Sequence, residues 1–195
     1  MPILEYNISW MLFNSFLAVL AVVFGYYFIK ISNRPLKIFF GILWILFLPN
    51  TIYMFTDLMH LIHQWNRVEL SARPFLLLQY VLLEVVAFAT FVLAFRPFER
   101  IIEHVKLHKN RQAIVIIVFN FLIAFGMVLG RIERINSWEV FTEIGKVIDA
   151  VVQSLTSPAH LGLTLLFGLV CNFSYFLFRD PIYRSAIKLR KSLAR

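Results

Sequence analysis

The sequence predicts an all-α integral membrane bundle of five transmembrane helices, with a further amphipathic helix lying at the interface. Three observations lead there. Hydrophobic residues make up 60% of the 195-residue chain and mean hydropathy is +0.76, well above the apolar share of an ordinary soluble domain. Five apolar runs are each about long enough to cross hydrocarbon at roughly 1.5 Å of helix per residue. Lys and Arg gather in the short segments between those runs, which is the pattern of a topology signal.

The runs cover residues 8–29, 36–55, 74–95, 113–129 and 159–178 of a single domain. Each should be a helix, because a bilayer has no water to satisfy the edge of an exposed strand. The 21 phenylalanines and 4 tryptophans would be hard to hide in a water-soluble core of this size, but lipid accepts them on the outside of a bundle. The segment before the first run lacks a basic region and carries Glu5, so the run reads as a retained helix rather than a cleaved signal. One cysteine, Cys171, excludes an internal disulfide and any CxxC site.

Between the fourth and fifth spans, residues 138–156 place Trp138, Phe141, Ile144, Ile148, Val151 and Leu155 on one stripe. Glu143, Lys146, Asp149 and Gln153 fall mainly opposite. This amphipathic helix is expected to lie in the interface or to cap the bundle. Residues 98–107 carry a weaker stripe and predict a short surface helix.

The net charge of +8 raises the question of nucleic acid. No basic sheet, zinc knuckle or aromatic-interleaved RNA motif accompanies it, so no nucleic-acid partner is expected. With five spans, 14 Lys and Arg fall on one side and 5 on the other. The positive-inside rule then puts the N-terminus outside and the C-terminus in the cytoplasm of a bacterial cytoplasmic membrane. That orientation brings PNTIYMFTDLMHLIH, residues 49–63, to the same extracytoplasmic surface as GRIERINSWE, residues 130–139.

Pro49 lacks an amide donor and clashes with the preceding turn, so the second helix should kink or break near Leu48. Asn50 and Thr51 are then candidates to cap a restarted half-helix. On a continuing helix Asp57, His60 and His63 share one sector. Asp57 and His60 can hold a divalent metal such as zinc together, or the aspartate can set the histidine tautomer for proton transfer. A closed metal site needs further ligands, from Glu84, Glu133, Glu139 or His160. The plainer alternative has Asp57 paired with Arg131 or Arg134 and the histidines in interfacial water.

Glu84 falls near the middle of the third span, where an ionised carboxylate costs several kcal/mol unless it is paired or protonated. It belongs in the protein interior, as a proton-transfer or ligand group, or hydrogen-bonded to Asn14, Asn120 or Asn172. In the second motif Arg131 and Arg134 are suited to bidentate phosphate binding. Asn136 and Asn50 offer amide donors, Ser137 is a good N-cap, and Trp138 belongs at the interface. Asp57, His60 and Glu84 are thus the catalytic candidates; Arg131, Arg134, Asn136, Trp138 and Asn50 are the ligand-binding ones.

LPNTIYMFTDLMHL and, about eighty residues later, GRIERINSWE resemble the two signature segments of an uncharacterised bacterial multi-pass membrane family, domain of unknown function 1361. By that resemblance Pro49, Asn50, Thr56, Asp57, His60 and Leu61 correspond to the first segment. Arg131, Arg134, Asn136, Ser137 and Trp138 correspond to the second, with Glu139 where the family often has aspartate. The resemblance implies a membrane bundle and no particular activity.

The expected function is an outward-facing polar pocket that binds an anionic lipid headgroup or a lipid-linked envelope precursor among the membrane lipids. Two other classes remain open at this stage. One is a metal-dependent hydrolase or transferase. The other is a transporter, completed by homo-oligomerisation, or an assembly subunit docking a membrane-protein partner.

Overall fold

A computed structural model describes residues 2–193, and among them the chain is helical with no strand. The α-helices are α1 (Pro2–Lys30), α2 (Arg34–Phe47), α3 (Pro49–Tyr53), α4 (Leu58–Trp65), α5 (Arg73–Val105), α6 (Lys109–Arg131), α7 (Glu139–Thr142), α8 (Ile144–Thr156) and α9 (Pro158–Leu193). Five helical stretches are long and apolar enough to cross a membrane: Ile3–Lys30, Arg34–Trp65, Leu70–Val105, Lys109–Arg131 and Pro158–Leu189. The chain is a multi-pass membrane protein. Large apolar side chains such as Phe16, Leu82, Leu165 and Phe173 point outward from these rods, where only lipid makes their exposure favourable.

The second rod is a stack of shorter pieces. It begins cleanly, with the Asn33 side chain accepting from the Leu36 amide and Pro35 in the first turn. At Pro49 the ladder breaks, and a 3-10 turn over Met54–Asp57 then links α3 to α4. Leu48 keeps right-handed helical angles, φ −55° and ψ −42°, so the rod bends without unwinding. Asn50 and Thr51 do not cap a new N-terminus as the sequence suggests. The Thr51 amide bonds to the Leu48 carbonyl at 3.1 Å, and the Asn50 side chain donates to the Phe47 carbonyl at 3.2 Å. Thr51 Oγ1 donates to the Leu48 carbonyl at 2.7 Å. What a proline disturbs is the carbonyls behind it, and here side chains satisfy them.

Pro49 also has a seat. A Cβ placed on Gly126 of α6 would stand 2.5 Å from Pro49 Cγ, so glycine alone lets α6 approach the proline ring. The same device recurs at Pro97 in α5. A Cβ on Gly25 of α1 would stand 2.8 Å from Pro97 Cγ. Trp44 Nε1 donates to the Ala94 carbonyl at 2.7 Å, and the Tyr183 hydroxyl lies 3.1 Å from the Val92 carbonyl. Serviced in this way, α5 runs through Pro97 without stopping. Residues 98–107 are therefore not a separate surface helix; nearly all of them extend α5, which ends where Lys106 turns left-handed at φ 53°.

Each end of the bundle is pinned by buried polarity. At the end holding Pro97, Glu99 is 4% exposed. It accepts from Tyr175, from Arg179 Nε at 2.6 Å, from Arg96 Nη1 at 2.8 Å and lies 2.8 Å from the Tyr183 hydroxyl. At the opposite end Asn7 exchanges hydrogen bonds with Gln64 at 2.8 and 3.0 Å, joining α1 to α4. Beside the Glu99 cluster Phe98 stacks on Phe119 and Phe95 packs against Tyr175.

The segment expected as one amphipathic helix is broken. Glu143, at φ −141° and ψ 53°, separates α7 from α8. The expected apolar stripe is real but faces away from the protein: Ile144, Ile148 and Leu155 are exposed, while the small residues Ala150 and Ser154 are buried. An interfacial helix has this inverted arrangement, with bulky groups turned to lipid.

Candidate functional site

The two polar motifs meet. Asp57, at the end of the 3-10 turn, is 2% exposed. Its Oδ1 accepts from Arg131 Nη1 at 3.0 Å and its Oδ2 from Asn14 Nδ2 of α1 at 3.3 Å. Arg131 Nη2 lies 3.4 Å from His60 Nε2, and His60 Nε2 is 3.8 Å from Asp57 Oδ1. The same guanidinium sits over the Tyr53 ring, 5.8 Å from its centroid. Arg131 thus closes the last turn of α6 onto the kinked second rod with an ion pair, a cation–π contact and a histidine contact.

The loop after α6 adds a second tie. The Ser137 hydroxyl donates to the Leu46 carbonyl at 2.8 Å and accepts from Asn50 Nδ2 at 2.9 Å. Ser137 is accordingly not a helix N-cap; it fills hydrogen-bonding capacity around the Pro49 break, from a residue 87 positions away in sequence from Asn50. Glu139 accepts from the Asn136 amide at 2.6 Å and from Lys146 Nζ at 2.7 Å, which folds α7 and α8 over this loop. Lys146 first, and the Asn136 amide with it, hold the Glu139 carboxyl below the usual glutamate range. Glu139 in turn holds the Lys146 ammonium above the usual lysine range.

Arg134 is placed differently from Arg131. Its backbone is left-handed at φ 54°, a conformation that costs a non-glycine residue about 1–2 kcal/mol. The turn lets the Ile135 amide reach back to the Leu129 carbonyl at 3.0 Å. Arg134 is exposed and, among the described residues, pairs with no acid. With His60, Arg131, Tyr53, Gly130 and Asn136 it lines an open cavity of about 560 Å³.

A second cavity of about 330 Å³ adjoins the first, sharing Tyr53, Gly130 and Asn136 as a common wall. It is an apolar groove between α1, the second rod and α6, lined by Phe13, Leu17, Ile45, Leu122 and Phe125. Asn50 and Trp138 sit on it as well.

The sequence candidates therefore divide. Asp57, His60, Arg131, Arg134 and Asn136 converge at one polar mouth, with Asn50 and Trp138 on the adjoining groove. Glu84 does not join them. It lies in α5, and of its two expectations the bond to Asn14, Asn120 or Asn172 does not form: among the described residues both carboxyl oxygens are buried and without a partner. Asn14 is engaged by Asp57, and Asn120 donates to Asn172 at 3.0 Å. His63 bonds its own helix through the Met59 carbonyl at 2.6 Å. Glu133 and His160 face each other at 3.2 Å. Among the described residues no group of three or more His, Cys, Asp and Glu side chains is arranged to hold a metal ion.

Sequence reasoning missed Tyr53, and named Asn14 only as one of three possible partners of Glu84, not as the partner of Asp57. Tyr53 stands four residues before Asp57, the helical spacing that shares a face, and Asn14 is a polar group inside an apolar span. Both signals were present and unused. The network of Asn7, Gln64, Gln79 and Tyr80 beside the site carried the same kind of signal.

Residues 13–173 match the model of a family described as "Protein of unknown function (DUF1361)". The chain belongs to this family. The matched span contains both motifs and every residue lining the polar mouth. No curated protein and no solved structure matches the chain.

Proposed function

We propose that this family member binds the anionic headgroup of a membrane lipid or lipid-linked precursor at the polar mouth, on the extracytoplasmic side of the membrane. The observation that carries the reading is Arg134. It is a cation held in a strained turn, without an acidic partner among the described residues, at the rim of a cavity whose other charged groups are already matched. Asp57 neutralises Arg131, so Arg134 leaves the mouth with a net positive charge. A phosphate there would meet guanidinium donors from Arg134 and Arg131, the side-chain amide of Asn136 and the His60 ring, which line the same cavity. Local strain kept at a site is expected where geometry serves binding rather than stability.

A divalent metal at Asp57 and His60 is a weaker fit for a physical reason: the Arg131 guanidinium, 3.0 Å from Asp57 Oδ1, would repel a dication in the same place. The orientation follows the distribution of Lys and Arg, with the mouth on the side poorer in them.

The test compares Arg134→Gly with the unaltered protein in nanodiscs that contain phosphatidylcholine and a minor share of phosphatidylglycerol. Glycine relieves the left-handed backbone, so thermal stability should hold or rise, while the enrichment of phosphatidylglycerol around the protein should fall about tenfold. Loss of stability with unchanged enrichment would overturn the reading.

A second reading rests on Glu84. A carboxyl with both oxygens buried and unpartnered in a membrane span suits proton uptake and release close to Asp57. Infrared difference spectra across a pH titration should show a carboxylic-acid carbonyl band that Glu84→Gln removes. An identical band in the variant would reject that role.

A further inference from the structure

We infer that the apolar groove beside the polar mouth holds one acyl chain of the same lipid whose headgroup the mouth binds. The inference rests on the headgroup reading above and adds the class of ligand: an anionic glycerophospholipid bound by both of its ends, not a soluble phosphate compound.

Three features support it. The two cavities adjoin, with Tyr53, Gly130 and Asn136 lining both, so a single amphiphile that passes beside those three residues would reach both. Their chemistry divides as an amphiphile does: the guanidinium groups of Arg131 and Arg134 at one, and Phe13, Leu17, Leu122 and Phe125 along the other. The groove runs down α6 from Gly130 to Leu122, about 12 Å at 1.5 Å per residue, which reaches from headgroup depth well into hydrocarbon. It opens sideways to lipid, since Phe13, Ile45 and Leu122 are exposed. A chain can therefore enter laterally while the headgroup settles on the arginines.

Gly130 contributes to the join. A Cβ there would meet the Tyr53 ring at 3.7 Å and the Ile135 carbonyl at 3.8 Å, ordinary contact distances, so the backbone of α6 lies close against Tyr53 where the two cavities adjoin. With a volume of about 330 Å³ the groove is assigned one chain, and the second chain of the lipid remains in the surrounding bilayer.

The test uses phosphatidylglycerol carrying a diazirine near the end of one chain, in phosphatidylcholine nanodiscs, with crosslinked peptides mapped by mass spectrometry. Crosslinks should concentrate on Phe13, Leu17, Leu122 and Phe125. A phosphatidylcholine probe with the same chain should label them about tenfold less. Arg134→Gln should abolish that difference, and Leu17→Trp, which fills the groove, should remove the crosslinks while leaving the fold intact by circular dichroism. Should Leu17→Trp disturb the fold, Leu122→Trp at the exposed rim serves in its place. Labels spread evenly around the bundle, with an Arg134-dependent preference for phosphatidylglycerol retained, would overturn the groove and leave the headgroup reading standing. Equal labelling of the groove by both probes, indifferent to Arg134→Gln, would overturn the headgroup reading and this inference with it. Competition by glycerol phosphate as effective as by the lipid would also reject the groove.

Discussion

Arg131 and Asp57 are unequal partners, and a double-mutant cycle should expose the inequality. The Asp57 side chain is 3% exposed and that of Arg131 26%. Arg131→Met leaves a carboxylate buried with only the Asn14 amide, which is weak compensation at 3.3 Å. Removing one partner from a buried pair in this way costs about 3–5 kcal/mol. Asp57→Asn leaves the arginine, which keeps Tyr53 and His60 as neighbours and retains access to water, so its loss should be nearer 1–2 kcal/mol. The double variant has no stranded charge and should cost less than the two singles together by at least about 1 kcal/mol. The assay is reversible unfolding in mixed micelles, titrating SDS and following tryptophan fluorescence. Equal single penalties, or strictly additive ones, would refute the claim that a desolvated carboxylate held by one guanidinium fastens α6 to the second rod.

Further outcomes follow from the same contacts. Gly126→Ala drives a methyl against the Pro49 ring and should destabilise by about 1–3 kcal/mol, as overpacking does, whereas Gly162→Ala, which has open space, should lie within about 0.5 kcal/mol of the parent in the same unfolding assay. Ser137→Ala removes a donor to Leu46 and an acceptor for Asn50; a loss of about 1–3 kcal/mol and faster amide exchange in α3 are expected. The Glu139–Lys146 contact has a defined pH window. Because folding lowers the glutamate's pKa, its contribution is full above the ordinary glutamate value and fades as pH falls through the lowered one. Because folding raises the lysine's pKa, its contribution is full below the ordinary lysine value and fades as pH climbs through the raised one. Protection of the α7 and α8 amides, measured relative to the intrinsic exchange rate at each pH, should therefore be greatest at intermediate pH and fall in acid, and Glu139→Gln should flatten that dependence.

The candidate site was legible in its membership more than in its wiring. Asp57, His60, Arg131, Arg134 and Asn136 stand out because charged or amide side chains beside apolar runs are costly unless they serve a purpose. Which of them pair was legible only as alternatives, and of those for Asp57 the structure forms the ion pair with Arg131. A three-residue spacing placed His60 with Asp57, but the structure puts the Arg131 guanidinium against both, from 74 positions downstream of Asp57. Ser137 read locally as a helix cap, and its actual acceptor is the Leu46 carbonyl in another helix. For Glu84 a proton-transfer or ligand role and an asparagine partner were both open, and each of the three asparagines bonds elsewhere.

By itself the sequence determined that this chain lies in a membrane as five helices, because hydrocarbon imposes length and apolarity on each span separately and that constraint is local. It also determined that the second rod is disturbed at Pro49, since a missing amide is a property of one residue. Only the tertiary structure decided that Pro49 and Pro97 are seated on glycines of other helices, that Glu99 joins α5 to α9, and that one arginine of the motif is matched while the other pairs with no acid among the described residues. Those outcomes depend on which carbonyls, carboxyls and flat helix faces come within about 3 Å of one another, a distance set by packing between spans and not by order along the chain.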